Sequence, residues 1–132
     1  MNWSKTQLAE LNYFCHSTRK RDKADIACDV FSGQIETIID LFFYYSIMEF
    51  QVGDIKDFYK TFRIPKIRSE GLRTPSPKQI IQALDRMKNV RCVGEDRYQI
   101  LSPRDWFLAP YADELKYGYE KGYVQYFMEE HT

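Results

Sequence analysis

Ser76-Pro77-Lys78-Gln79-Ile80-Ile81-Gln82-Ala83-Leu84-Asp85-Arg86-Met87, running on into Val93-Gly94-Glu95-Asp96-Arg97-Tyr98-Gln99-Ile100, is the stretch from which the fold is read. Ser76 is placed to cap a helix. Pro77 suits the first helical position, where the backbone N–H has no intrahelical acceptor, and Gln79 stands where its side chain closes a capping box. Ile80, Ile81, Leu84 and Met87 recur at helical spacing, which turns them to one face and leaves Lys78, Gln79, Gln82, Asp85, Arg86 and Lys88 on the other. This predicts a helix over 77–88. Val90-Arg91-Cys92-Val93 and Arg97-Tyr98-Gln99-Ile100 are β-prone runs around Gly94-Glu95-Asp96, the pattern of a hairpin, with Tyr98 facing the core.

Upstream, Gly53-Asp54 opens a helix over 53–62 whose inward residues are Ile55, Phe58 and Phe62, stopped by Pro65. Arg63 to Pro75 then forms a basic loop containing Lys66, Arg68 and Arg73. Before it, Ile35, Ile38, Ile39, Phe42, Tyr45 and Met48 predict a central apolar helix over 34–49, set off by Ser32-Gly33. Near the N-terminus Ser4-Lys5-Thr6-Gln7 is another capping box, with Trp3 positioned to staple onto Leu8 and an inner stripe of Leu8, Leu11 and Phe14 or Cys15. Arg19-Lys20-Arg21 interrupts that stripe, and Ala24, Ala27, Val30 and Phe31 resume it as a second short helix. Downstream, Ser102-Pro103-Arg104-Asp105 caps a helical turn carrying Trp106 and Phe107 before Pro110. One last helix runs from Asp113, with Leu115, Tyr119, Tyr123 or Gly122, and Tyr126 or Phe127 on one side, weakened by Gly118 and Gly122.

Helices 34–49, 53–62 and 77–88 followed by a hairpin over 90–100 resemble, in that order, a winged helix-turn-helix domain spanning about residues 34–101. The fold expected is mainly α with a small β-hairpin. A single domain, 1–132, carries an N-terminal helical pair (1–33), the winged-helix core and a C-terminal extension with an aromatic helix (102–132). The resemblance implies a helix laid in the major groove and a hairpin beside the DNA backbone or in the minor groove. By position, Lys78, Gln79, Gln82 and Arg86 would then face base edges, while Lys66, Arg68, Arg73, Arg91 and Arg97 would meet phosphates. The chain departs from the pattern in its connection 63–75, which is longer than the usual tight turn.

Charge placement agrees with a polyanionic partner. The chain has zero formal net charge, yet Lys56 to Arg91 holds ten Lys/Arg against three acidic residues, and Ala24 to Ile55 holds six acidic residues with no Lys or Arg. The molecule should therefore be two-faced. The acidic span offers a competing answer, because it can neutralise the basic one within the fold. Arg19-Lys20-Arg21-Asp22-Lys23 reads as a solvated turn, with an auxiliary phosphate contact as its sharper alternative.

Composition bounds the rest. At 132 residues, 44% apolar and 16% aromatic, the chain is long enough and rich enough in rings to close one ordered core. Cys15, Cys28 and Cys92 contain no CxxC pair, so neither a disulfide framework nor a metal site is indicated, and a reducing cytoplasmic setting is expected. The longest apolar run, Leu41 to Tyr45, is too short to span a bilayer, and the start of the chain lacks an apolar signal core, so no membrane partner is expected. With two histidines, His16 and His131, and no glycine-rich phosphate loop, no catalytic arrangement or cofactor site is legible, and the chain does not read as an enzyme. The expected function is nucleic-acid binding, double-stranded DNA in preference to RNA, as a small regulator or a subunit of a larger assembly. The alternative is an adaptor whose winged helix and Tyr-rich end (Tyr117, Tyr119, Tyr123, Tyr126, Phe127) dock a protein. Gly118 and Gly122, if they share a helix face, would permit a homodimer there.

Overall fold

A computed structural model describes residues 1–16, 31–62 and 74–130. The second short helix expected around Ala24 to Val30, Cys28, the basic run 19–23, most of the loop 63–75 and His131 lie outside the described residues. Among those described are six helices and a three-stranded antiparallel sheet. The mainly helical architecture with a small β element agrees with the sequence.

Helix α1 (Lys5–His16) starts as its sequence prescribes. The Ser4 N–H donates to Gln7 Oε1 (3.0 Å) and the Gln7 N–H to Ser4 Oγ (3.1 Å), so both arms of the box are made. Leu11, Phe14 and Cys15 are buried, and Trp3 sets its ring against Phe42, Phe58 and Phe62 at 5.9–6.3 Å. At the other end His16 Nε2 donates to the Phe62 carbonyl (2.6 Å).

Helix α2 (Phe31–Tyr44) corrects the expected 34–49 at both ends. Ser32 and Gly33 lie within its first turn instead of separating two helices. Ile35, Ile38, Ile39 and Phe42 are fully buried as predicted, but the helix stops before Tyr45 and Met48. Ser46 adopts a left-handed φ of 61°, the Ile47 N–H donates to the Phe42 carbonyl (2.8 Å), and the Ser46 N–H to that of Phe43 (3.0 Å). This paired closure satisfies the final carbonyls and turns the chain out of the helix. It leads directly into strand β1 (Glu49–Gln51), whose first residue falls within the helix expected over 34–49.

Helix α3 (Val52–Phe62) follows without a gap, its start held by Asp54, whose Oδ2 accepts the Gln51 N–H at 2.7 Å. Ile55, Phe58 and Phe62 face inward as expected. Helix α4 (Pro77–Asp85) is shorter than the predicted 77–88, with Arg86 as its C-cap. Strands β2 (Val90–Gly94) and β3 (Arg97–Ile100) form the expected hairpin, turned at Asp96 with a φ of 56° and bulged between Cys92 and Gly94. The strand order is β1-β3-β2. Phe50 lies opposite Tyr98 in the register, the two rings stacked at 6.0 Å over the core.

The C-terminal extension also differs from expectation. Asp105 to Phe107 form a turn, and helix α5 (Leu108–Glu120) takes Pro110 into its first turn, where the missing N–H costs no intrahelical bond. Gly122, at φ +78°, ends it, and helix α6 (Tyr123–Glu130) begins anew, so one predicted helix becomes two. Val124 turns inward and α6 packs on α1, while Tyr111 and Phe107 are wholly buried beside Phe14.

Arg104 fastens this extension to α2. Its backbone N–H and its Nε both donate to the carboxylate of Asp40 (3.0 and 2.6 Å), and its other nitrogens reach Glu36 (3.0 Å) and Thr37 Oγ1 (3.0 Å). Trp106 covers the guanidinium at 4.4 Å. Burial pushes the Asp40 carboxyl above its ordinary 3.8, against the pull of the Arg104 hydrogen bonds and charge.

Candidate nucleic-acid interface

The outer face of α4 is the best-defined part of the expected site. Ile80, Ala83 and Leu84 are buried, which fixes the helix against α2, α3 and β2 and sends Lys78, Gln82 and Arg86 into solvent. These three are spaced four residues apart and therefore form one slanting stripe. Among the described residues, none of the three side chains has an ion pair or a side-chain hydrogen bond. Asp85 interrupts the outer surface, but its Oδ1 accepts the Tyr98 hydroxyl at 3.1 Å and is thereby directed toward the sheet. That bond and burial push the Tyr98 hydroxyl up to about 12, burial contributing most.

Gln79 takes a different place from its neighbours. Its Oε1 accepts the Ser76 N–H (2.8 Å) while Ser76 Oγ accepts the Gln79 N–H (3.2 Å). A glutamine reads adenine with both its oxygen and its nitrogen. The capping box already engages that oxygen with the Ser76 N–H, so pairing a base in that way competes with the closed helix start.

The hairpin presents less positive charge than the count suggests. Arg91 is exposed on β2 and donates from Nε to Gln99 Oε1 (2.7 Å), its partner in the register, which holds the guanidinium on the outer face of the sheet. Arg97 on β3 stands 3.6 Å from Glu49 on β1, both side chains more than half exposed. The turn itself carries Glu95 and Asp96, and the Asp96 carbonyl accepts the Val52 N–H (3.0 Å), tying the hairpin tip to the start of α3. Lys66, Arg68 and Arg73 lie outside the described residues.

A cleft of about 410 Å³ opens where α4 ends, between the first turns of α2 and the turn leading to β2. Arg86, Lys88 and Arg104 line it together with Glu36. Lys88 was legible as an outward residue, but its meeting with Arg104 and Glu36 was not. Those residues come from segments far apart in the chain, and no local periodicity connects them. No family model, no curated protein and no solved structure matches this chain. Among the described residues no helix is long and apolar enough to cross a membrane.

Proposed function

We propose that the protein binds double-stranded DNA through α4, as a winged helix-turn-helix over about residues 34–101, acting as a small regulator or as the nucleic-acid-binding subunit of a larger assembly. The supporting observation is the exposed Lys78–Gln82–Arg86 stripe, whose two cations make no ion pair among the described residues. A cationic stripe on a rigid helix is suited to a phosphate-lined groove, and Gln and Arg within it suit adenine and guanine edges. DNA is favoured because the A-form major groove of RNA is too deep and narrow for such side chains. The element order supports the same reading, since α2, α3 and α4 directly precede the hairpin and β1 holds that hairpin beside α3. Arg91 supplies a phosphate contact from β2, and Lys66, Arg68 and Arg73 enter on sequence alone.

One observation favours a second reading, an adaptor that docks a protein. The hairpin tip is acidic and Arg97 is answered by Glu49, while Tyr123 and Tyr126 remain 48% and 55% exposed on α6. Aromatic rings of that kind are suited to anchoring in a partner's pocket. Fluorescence anisotropy of a labelled duplex separates the two readings. Several phosphate contacts weaken affinity by orders of magnitude between about 50 and 200 mM salt. No measurable duplex binding at the lower salt overturns the DNA reading and leaves the adaptor.

A further inference from the structure

We propose that the cleft at the end of α4 is a binding site for a phosphate monoester, a small dianion whose phosphoryl group meets Arg86 and Lys88 and whose organic body lies on Ala83 and Met87. Its volume, about 410 Å³, falls within the range of small-molecule sites. Charge decides what kind of molecule fits. Three cations converge on one concave surface, but Arg104 is already answered by Glu36 (3.0 Å) and by the fully buried Asp40 (2.6 Å). Arg86 and Lys88 have no carboxylate partner among the described residues. The second carboxylate on Arg104 and the carbonyl end of α4 together offset about one and a half elementary charges, still less than these two cations bring.

Like charges gathered in a concavity repel one another, and a dianion relieves that repulsion with charge-assisted hydrogen bonds. Arg104 supplies a fixed wall, since its three acceptors and the Trp106 ring hold the guanidinium in place. Ala83 is 8% exposed and Met87 is half-buried, so the floor beside the cations is apolar and suits a compact organic group rather than bare phosphate. A phosphate diester, such as an internal link of a nucleic-acid backbone, carries a single charge and no free phosphoryl end to enter. The monoester site stands independently of duplex binding, although Arg86 borders both surfaces.

Amide NMR titration at constant ionic strength tests this with phenyl phosphate as the monoester and dimethyl phosphate as the diester. The expected result is saturable shifts at residues 86–89 and in the first turns of α2, with a Kd near 1 mM, about tenfold weaker for the diester. Lys88→Ala and Arg86→Gln should each weaken phenyl phosphate about tenfold, whereas Lys116→Ala, an exposed cation on α5, should leave it unchanged. No saturable shift up to about 10 mM overturns the site. Equal binding of the diester overturns the assigned ligand class, and an equal loss in Lys116→Ala reduces the effect to general electrostatics. With no nucleic acid present, failure here leaves duplex binding standing.

Discussion

The Tyr13 ring lies across Gly118 so closely that a Cβ at position 118 would stand 2.6 Å from Tyr13 Cε2 and 2.9 Å from Val124 Cγ2. The glycine therefore lets α1 and α6 close on α5 within one chain. Gly122 serves backbone conformation instead, between α5 and α6, so the two glycines do not share one helix face. The Tyr13 ring has little room to yield, because it is buried and its hydroxyl donates to Glu114 Oε2 at 3.0 Å. Gly118→Ala should destabilise by about 1–3 kcal/mol even though alanine is the better helix former. A Tm lowered by several degrees is expected in thermal unfolding. An unchanged Tm would show that the contact is not tight.

Arg104 and Asp40 should be strongly coupled. Arg104→Ala strands a buried carboxylate and should cost about 3–5 kcal/mol, while adding Asp40→Asn to it should recover part of the loss by removing the unpaired charge. The pH dependence has a definite sign. Asp40 has its folded pKa raised above 3.8, so its contribution favours folding most at low pH and declines as pH rises through the folded value. In Arg104→Ala that pKa rises further. The deficit measured by urea unfolding should therefore be smaller at about pH 5 than at about pH 8, and a pH-independent deficit would contradict the pairing.

Alkaline unfolding follows from the tyrosines around Glu10. The Tyr45 and Tyr119 hydroxyls donate to its carboxylate, and Tyr45 and Tyr111 share a hydrogen bond at 2.6 Å. Burial raises all three above the ordinary value of 10, and Tyr98 to about 12. Below the unfolded value these groups are neutral in both states, so stability is full there. It falls as pH rises past 10 toward the folded values, because the unfolded chain releases protons that the folded chain retains. A titration following tyrosinate absorbance and far-ultraviolet ellipticity together should show these residues ionising with unfolding. Free titration of all ten tyrosines near pH 10 with the fold intact would refute it.

What the sequence disclosed was local in origin. Both Ser-x-x-Gln boxes formed because cap and acceptor lie within one turn, and the stripes of α2, α3 and α4 follow the helical period. Strand β1 was hidden because three residues with one inward phenylalanine give no alternation to read, and its partner β3 is some fifty residues away. Ser46 concealed the end of α2, since a non-glycine residue in the left-handed region carries little warning. Within the site, the outward direction of Lys78, Gln82 and Arg86 was legible. The commitment of Gln79 to its cap was legible as well, but that of Arg97 to Glu49 was not, because it depends on a strand pairing that charge alone does not reveal.

That last pairing yields the sharpest test of the hairpin. Glu49 and Arg97 are both exposed, so their ion pair contributes little to stability, and Glu49→Gln should leave the fold intact. It should also release Arg97 toward a phosphate. On the DNA reading, duplex affinity should rise a few-fold and the slope of log K against log salt should steepen by about one. Glu120→Gln removes the same charge at the end of α5, away from the hairpin, and serves as the matched control. A rise confined to Glu49→Gln places the hairpin against the duplex. Equal behaviour of the two variants would mean that net charge alone is felt and that Arg97 makes no phosphate contact.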